Sequence, residues 1–334
     1  MKKIISALLC IALLASCAFV FTGCGSSTPD ENSVVIYTSA EDYRVEYMQQ
    51  RFAEEFPDYD ITIEYMSTGD HAAKLLAEGT DTACDISYDL EYGYMKQLSD
   101  KGEFCDLKDM YDFSIYADDA LDGTHFIPEY RNGGSIILNT EVLKEKGLDE
   151  PESYEDLLDP KYEGLISMPN PKSSGTGYMF YKNLVNVMGE EKALQYFDDF
   201  TKNVLQYTES GSGPVNALVQ KEAAIGLGMT GQAVTQMNDN GADYLKIKYF
   251  EEGSPYSMYG LGMIEGKQNK KAVKDVFDFL VNTYSDENCG KFFPERIYKD
   301  KTFDVPNFPT NIVYGDMSND TIEEKERLLD LWKY

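Results

Sequence analysis

Four short segments rich in serine, threonine and glycine carry most of the chemistry this chain offers. They are Thr38-Ser39-Ala40, Ser67-Thr68-Gly69-Asp70, Ser173-Ser174-Gly175-Thr176-Gly177 and Ser210-Gly211-Ser212-Gly213-Pro214. Each stands between an apolar β-rich run and a stretch of helical periodicity, so each brings hydroxyls and backbone N–H groups to a helix start. A helix N-terminus carries partial positive charge and unsatisfied donors, which can hold an oxyanion without lysine or arginine. Capping alone accounts for any one such segment, but two in each half of the chain point to a shared cleft for phosphate, phosphonate or carboxylate. The expected contacts are Thr38, Ser39, Ala40, Thr68, Gly69, Ser173, Ser174, Gly175, Thr176, Ser210, Gly211, Ser212 and Gly213. Pro214 suits a first helical turn and Gly211 and Gly213 permit close backbone approach, which makes the fourth segment the strongest of the set. Arg131 is the only arginine between positions 52 and 295. It either grips a bound oxyanion bidentately or pairs with one of the many acids. Glu41, Tyr88, Tyr130 and Tyr256 lie near the expected cleft and are additional candidate contacts, although most tyrosines in such a chain are half-buried packing residues.

No enzyme constellation accompanies these loops. His71 and His125 are the only histidines, so a Ser-His-Asp triad and a His-based zinc site are both poorly supplied. Downstream of residue 24 the cysteines are Cys84, Cys105 and Cys289, with no zinc-knuckle or redox-motif spacing. Cys84 and Cys105 either form a disulfide or remain buried thiols. Gly226-Leu227-Gly228-Met229-Thr230-Gly231 matches G-x-G-x-x-G, yet it lies deep in the chain instead of in a first βαβ unit. Its glycines are expected to let a loop approach a small ligand or a neighbouring helix. No catalytic residue, cofactor or metal site is expected.

The elements that must position the loops follow from periodicity. Val34 to Tyr37 reads as a strand, and Val45, Met48, Phe52 and Phe56 share one helical face ahead of Pro57. Strands at Ile61 to Met66 and Asp85 to Tyr88 alternate with helices near 71–78 and 91–98, a βαβαβα order that implies a mainly parallel sheet covered on both faces. Residues 126–138 are extended and hold Pro128 and Gly133-Gly134, as expected of a chain crossing between lobes. A second α/β unit follows, and the run near 256–264 returns the chain to the first sheet. The division expected is 34–130 plus 258–299 as lobe 1 and 131–257 as lobe 2. A helical tail at 300–334 is assigned to neither.

The formal charge of -28 excludes duplex nucleic acid as a natural partner, because that binding needs a basic face. Residues 1–24 combine Met1-Lys2-Lys3, an apolar run to Phe21, and Thr22-Gly23-Cys24, and they resemble a bacterial lipoprotein signal in which Cys24 becomes the lipidated residue. Residues 25–33 read as a flexible tether. The protein is thus expected on the outer side of the cell membrane, held there by lipid.

Taken in order, Val34-Val35-Ile36-Tyr37-Thr38-Ser39-Ala40, Pro171 to Tyr178, Tyr207 to Val215 and Glu222 to Gly228 resemble the extracellular solute-binding proteins of bacterial ABC importers. The likeness is to the branch that groups ferric-ion binders with phosphonate and sugar-phosphate binders. It implies a two-lobed periplasmic-binding-protein-like α/β fold, a monomer that closes on a small-molecule ligand, and partnership with an ABC permease and its ATPase. Ferric-ion members commonly place an adjacent tyrosine pair after the strand equivalent to Ala223 to Leu227. Here that position reads Gly228-Met229-Thr230-Gly231-Gln232. The resemblance therefore favours a small organic oxyanion, a phosphonate or phosphorylated metabolite. Ferric iron through Glu41, Asp70 or a tyrosine is the alternative, and a polyamine or thiamine a further one.

Overall fold

The computed structural model describes residues 31–334. The expectations for residues 1–24, Cys24 included, and for most of the tether lie outside these residues.

Strand β1 (Ser33–Thr38) buries Val34 and Ile36 and leads into helix α1 (Asp42–Glu55), which turns Arg44, Met48 and Phe52 inward at intervals of four. That interval is one helical turn, so the three side chains form one stripe. The next units are β2 (Asp60–Tyr65) with α2 (Thr68–Glu78), and β3 (Ile86–Glu91) with α3 (Tyr92–Asp100). Ser67 caps α2 by accepting from the Asp70 backbone N–H at 3.3 Å.

Strand β4 (Ile127–Asn139) is buried along all 13 of its residues. At about 3.3 Å per residue it runs roughly 43 Å, long enough to pass from one half of the molecule to the other. Its first half pairs with β9 and its second with β7 and β8, and the partners change at Gly133 and Gly134. A Cβ on Gly134 would lie 2.7 Å from the Phe180 ring, so the switch point requires glycine for close approach.

Beyond β4 come α4 (Thr140–Lys146), β5 (Ile166–Pro169), α5 (Gly175–Met188), α6 (Glu190–Phe200), β6 (Val204–Thr208), α7 (Gly213–Val219), β7 (Ile225–Met229), α8 (Thr230–Asn240) and β8 (Leu245–Lys248). Strand β9 (Tyr256–Met263) returns beside β4, and α9 (Lys271–Phe279), one π-helical turn (Leu280–Tyr284) and α10 (Ser285–Lys291) follow. The chain ends in α11 (Ile322–Leu331).

The sheet order is β2-β1-β3-β9-β4-β7-β5-β6, with β8 also on β4. Within each half the pairing is parallel, β2-β1-β3 on one side and β7-β5-β6 on the other. The crossing strands β4 and β9 are antiparallel to each other and to the strands that flank them. A strand that leaves a lobe and one that returns must run in opposite directions, which makes the whole sheet mixed.

Apolar side chains pack on both faces of each half. Ile36, Tyr88, Met263 and Phe277 centre one cluster in the first lobe, with Tyr37, Leu75 and Phe104 behind the sheet. Met168, Phe180 and Phe197 centre the second lobe, with Ile137, Val215 and Leu218 on its far side. Cys84, Cys105 and Cys289 are buried free thiols, so of the two alternatives for Cys84 and Cys105 the structure has the thiols. No helix of the described residues is long and apolar enough to cross a membrane.

The tail is placed by its aromatic contacts. Phe303 packs on the first lobe, Val305 and Phe308 meet Val234, and α11 ends with Trp332 inside the second core. The Trp332 ring lies 5.1 Å from Tyr181, 5.0 Å from Phe197 and 5.4 Å from Tyr207. Truncation by Trp332→Ala should therefore cost about 3 kcal/mol in urea unfolding followed by circular dichroism. A cost below about 0.5 kcal/mol would mean that the tail does not dock there.

Candidate functional site

Thr38 closes β1, and its Oγ1 accepts from the Ala40 N–H at 3.1 Å, which turns the first loop toward the space between the lobes. Ser39 Oγ donates to the carbonyl of Asp89. Asp89 itself has φ +61, at a point where the β3–β9 register shifts between Tyr88 and Leu90. Left-handed backbone is costly for most side chains but tolerated by Asp, and here the bulge turns the carboxylate out of the strand pleat.

Beneath these groups lies Arg44, fully buried. Its Nη1 donates to Asp89 Oδ1 at 3.0 Å, to Glu41 Oε2 at 3.2 Å and to the Tyr130 hydroxyl at 2.9 Å. Its Nε reaches Asn288 Oδ1 at 3.3 Å, and the guanidinium stands 4.4 Å from the Tyr130 ring centre and 4.8 Å from that of Phe293. Burial raises the Glu41 carboxyl above its usual range against the opposing pull of Arg44. Glu129, 3.9 Å from Arg44 Nη2, accepts from the Tyr88 hydroxyl and from Asn288 Nδ2 at 3.1 Å. Its burial pushes it up to about 8.

The opposite wall comes from the second lobe. Ser174 caps α5, and Ser210 and Ser212 share a hydroxyl contact of 2.9 Å just ahead of α7. Gln232, on the helix that follows β7, donates to the Ser212 carbonyl and to Asn216 Oδ1, each at 3.1 Å, and braces that loop. The two loops touch: a Cβ on Gly211 would stand 2.5 Å from Thr176 Oγ1. Gly226, Gly228 and Gly231 are packing positions, since a Cβ on Gly231 would be 2.7 Å from the Phe292 carbonyl oxygen.

Between the walls lies a cavity of about 130 Å³. From the first lobe it is lined by Ser39, Glu41, Asp42, Tyr65, Ser67, Thr68, Asp89 and Tyr259, and from the second by Ser173 to Thr176 and Glu209 to Ser212. Neither lysine nor arginine is among these residues. A wider mouth of about 590 Å³ adjoins it at Tyr65, Ser67, Gly69, Asp70, Lys172, Ser173, Glu209 and Ser210.

The structure thus brings together Ser39, Glu41, Thr68, Ser173, Ser174, Gly175, Thr176, Ser210, Gly211 and Ser212, with Gly69 at the mouth. Thr38, Ala40 and Gly213 stand behind their loops and do not line the cavity. Tyr88 is turned to Glu129 and Tyr130 to Arg44. Arg131 and Tyr256 lie away from the cavity: the guanidinium of Arg131 sits 4.9 Å from the ring centres of both Tyr256 and Tyr314, at the crossing strands, and its charge acts on the buried Glu295 carboxyl, so of its two expected roles the structure has the interaction with an acid. Alternate residues of a strand face opposite sides, and 131 points away from the cleft loops.

Asp42, Tyr65, Asp89 and Glu209 carry no signal as contacts in the sequence, whereas Ser67 belongs to one of the four loop segments and Tyr259 is one of the tyrosines near the expected cleft loops. Arg44 had a signal of its own, standing one turn ahead of Met48 and two ahead of Phe52 on the inward stripe of α1.

Residues 37–283 match the family model for bacterial extracellular solute-binding proteins. The chain belongs to that family. It is a substrate-binding protein of an ABC importer and works outside the cytoplasm. An uncharacterized protein of Haemophilus influenzae is 26% identical over 290 residues, 84% of this chain and 82% of that one. Among solved structures, AfuA from Actinobacillus pleuropneumoniae with exogenous fructose-6-phosphate bound superposes with a TM-score of 0.76 at 24% identity, covering 90% of this chain and 97% of that one. The periplasmic binding protein P5PA gives 0.75 at 22%, covering 90% and 98%. Iron-bound HitA from Pseudomonas aeruginosa gives 0.73 at 16%, covering 90% and 97%. At these identities the structures share the fold with this binding protein.

Two outcomes follow from the geometry. A Cβ on Gly175 would stand 2.8 Å from the Tyr259 hydroxyl, which reaches it from the other lobe. Gly175→Ala should therefore wedge the lobes apart and increase the radius of gyration in small-angle scattering, whereas an unchanged radius would mean that this seam is not close-packed. Glu129 binds its proton more tightly when folded than when unfolded, so between about pH 4.5 and 8 the folded state holds the extra proton and this group's contribution falls as pH rises. The stability of Glu129→Gln relative to wild type should rise across that window by about 1.4 kcal/mol per pH unit, up to about 5 kcal/mol in all. A difference that does not change with pH would contradict the assignment.

Proposed function

We propose that the cleft captures a small organic oxyanion, a phosphonate or a phosphorylated metabolite, and that closure of the lobes presents it to a membrane permease driven by a cytoplasmic ATPase. The observation that carries this reading is the start of α5. The start of a 14-residue helix, with Ser173 and Ser174 just ahead of it, faces an inner cavity that no lysine or arginine lines. Its first-turn N–H groups and the hydroxyls of Ser174 and Thr176 supply the positive potential and donors that an anion needs.

The four carboxyl groups of the lining divide the work. Three of them, Glu41, Asp42 and Asp89, stand on the first lobe and only Glu209 on the second, so repulsion is weaker on the second lobe and the charged end of the solute lies there, against the start of α5. Hydroxyls on the carbon skeleton then donate to the carboxylates, a strong charge-assisted arrangement. The fructose-6-phosphate bound to AfuA is a molecule of this kind.

Those same carboxyl groups favour a second reading, a cationic solute such as thiamine or a polyamine. Ferric iron has less support: among the described residues no three His, Cys, Asp or Glu side chains gather to hold a metal ion, and no tyrosine pair follows β7. The protein breaks no bond in its solute, acts as a monomer, and is anchored through Cys24.

Titration calorimetry with fructose 6-phosphate, 2-aminoethylphosphonate, thiamine, spermidine and ferric citrate tests the choice. At least one phosphate or phosphonate should bind, and Ser174→Ala should weaken it by about 1.4 kcal/mol, roughly tenfold. Binding of thiamine, spermidine or iron with both phosphorus compounds inert would overturn the proposal.

A further inference from the structure

The C-terminal helix belongs to the second lobe by most of its contacts. Leu328 and Trp332 lie in that core, the Tyr181 hydroxyl donates to the Leu328 carbonyl at 3.2 Å, and Arg327 pairs with Glu190 at 2.7 Å. From this helix Lys325 and Ile322 reach across to the first lobe. Lys325 Nζ is ion-paired with Glu91 Oε2, and both side chains are buried. The ammonium also stands 4.5 Å from the ring centre of Tyr94 in the first lobe and 4.6 Å from that of Tyr178 in the second. Beside it Ile322 Cδ1 presses on Gly93, where a Cβ would come within 3.2 Å.

Glu91 is the last residue of β3, two residues beyond Asp89 in the cleft. Its Oε2 lies 3.6 Å from the position a Cβ on Gly175 would occupy, so the ion pair stands directly behind the seam where α5 meets the first lobe.

We infer that Lys325 and Glu91 form an interlobe clasp, through which the C-terminal helix positions the start of α5 against the first lobe for solute capture. The inference rests on the reading that the lobes close on a solute. Its physical basis is the difference between an open and a closed cleft. Separated in an open cleft, both ions are hydrated; in the closed arrangement both are desolvated, and each is tolerated because the other is there. Asp320 acts electrostatically on both ions, so removing Lys325 leaves two buried carboxyl groups without their cation, removing Glu91 leaves Lys325 with Asp320 alone and no partner on the first lobe, and either change penalises closure. Removing both lifts that penalty, so the two substitutions must be strongly non-additive.

The test uses the full mature chain and the variants Lys325→Met, Glu91→Gln and the double variant, read by small-angle scattering without solute and by titration with fructose 6-phosphate. Each single variant should scatter as a more open particle and bind the probe about tenfold more weakly. The double variant should return most of the way to wild type in both readouts. Trp332 is the chain's one tryptophan, and its emission reports whether the helix stays docked on the second lobe. If Lys325→Met undocks the helix, Glu91→Gln, which leaves the helix unaltered, decides alone. Unchanged scattering of Glu91→Gln with Trp332 still buried would overturn the clasp, as would a double variant no better than the sum of the singles. Wild-type protein that ignores fructose 6-phosphate while the variants open as described would count against the solute assignment and leave the clasp standing on its scattering result.

Discussion

A guanidinium inside a protein keeps its charge, so everything around Arg44 must be arranged to accommodate it. Its partners come from four places in the chain: Glu41 from the first loop, Asp89 from the end of β3, Tyr130 from the crossing strand and Asn288 from α10. Meeting one buried cation therefore fixes the relative position of the loop, the bulged strand, the hinge and a distant helix. The floor of the cleft is the outer surface of that arrangement. Burying an ion so thoroughly is a poor route to stability in itself, but it ties a surface that must be accurate to elements that cannot easily move.

The same interaction sorts the electrostatics of the cleft. With Glu41 and Asp89 drawn back onto Arg44, their outward lone pairs remain as acceptors while their net charge is partly neutralised. Across the cavity the second lobe offers helix starts, hydroxyls and backbone donors. The acceptors are concentrated on the first wall, which holds three of the four carboxyl groups, and the second wall is richer in donors. A solute with an anionic end and a hydroxylated remainder spans both walls only when they approach, and this links recognition to closure.

Much of this was legible in the sequence because strand-to-helix loops in an α/β chain have a predictable location. The segments at 39, 68, 173–176 and 210–212 line the cavity on that ground alone. Other parts were hidden for identifiable reasons. Asp89 sits inside a run that reads as strand, and only the bulge with its left-handed backbone turns it to the cleft. Arg131 was drawn toward the anion by its rarity in the sequence, whereas the alternation of β4 sends it to Tyr256 and Tyr314. Tyr256 and Tyr259 both lie in the extended run near 256–264, and nothing in the sequence separates them until the pairing of β9 is known. The tail helix has an apolar face, which says that it docks and not where; aromatic partners more than a hundred residues away decide that.

The central claim is that the cleft holds an organic oxyanion. It is tested most directly by native mass spectrometry of the mature protein, expressed in bacteria, purified without added solute and compared with its denatured mass. A retained adduct that releases phosphate or phosphonate ions on fragmentation is the expected result. An adduct with the mass of iron, or one that fragments to an amine or a thiazolium, would contradict it.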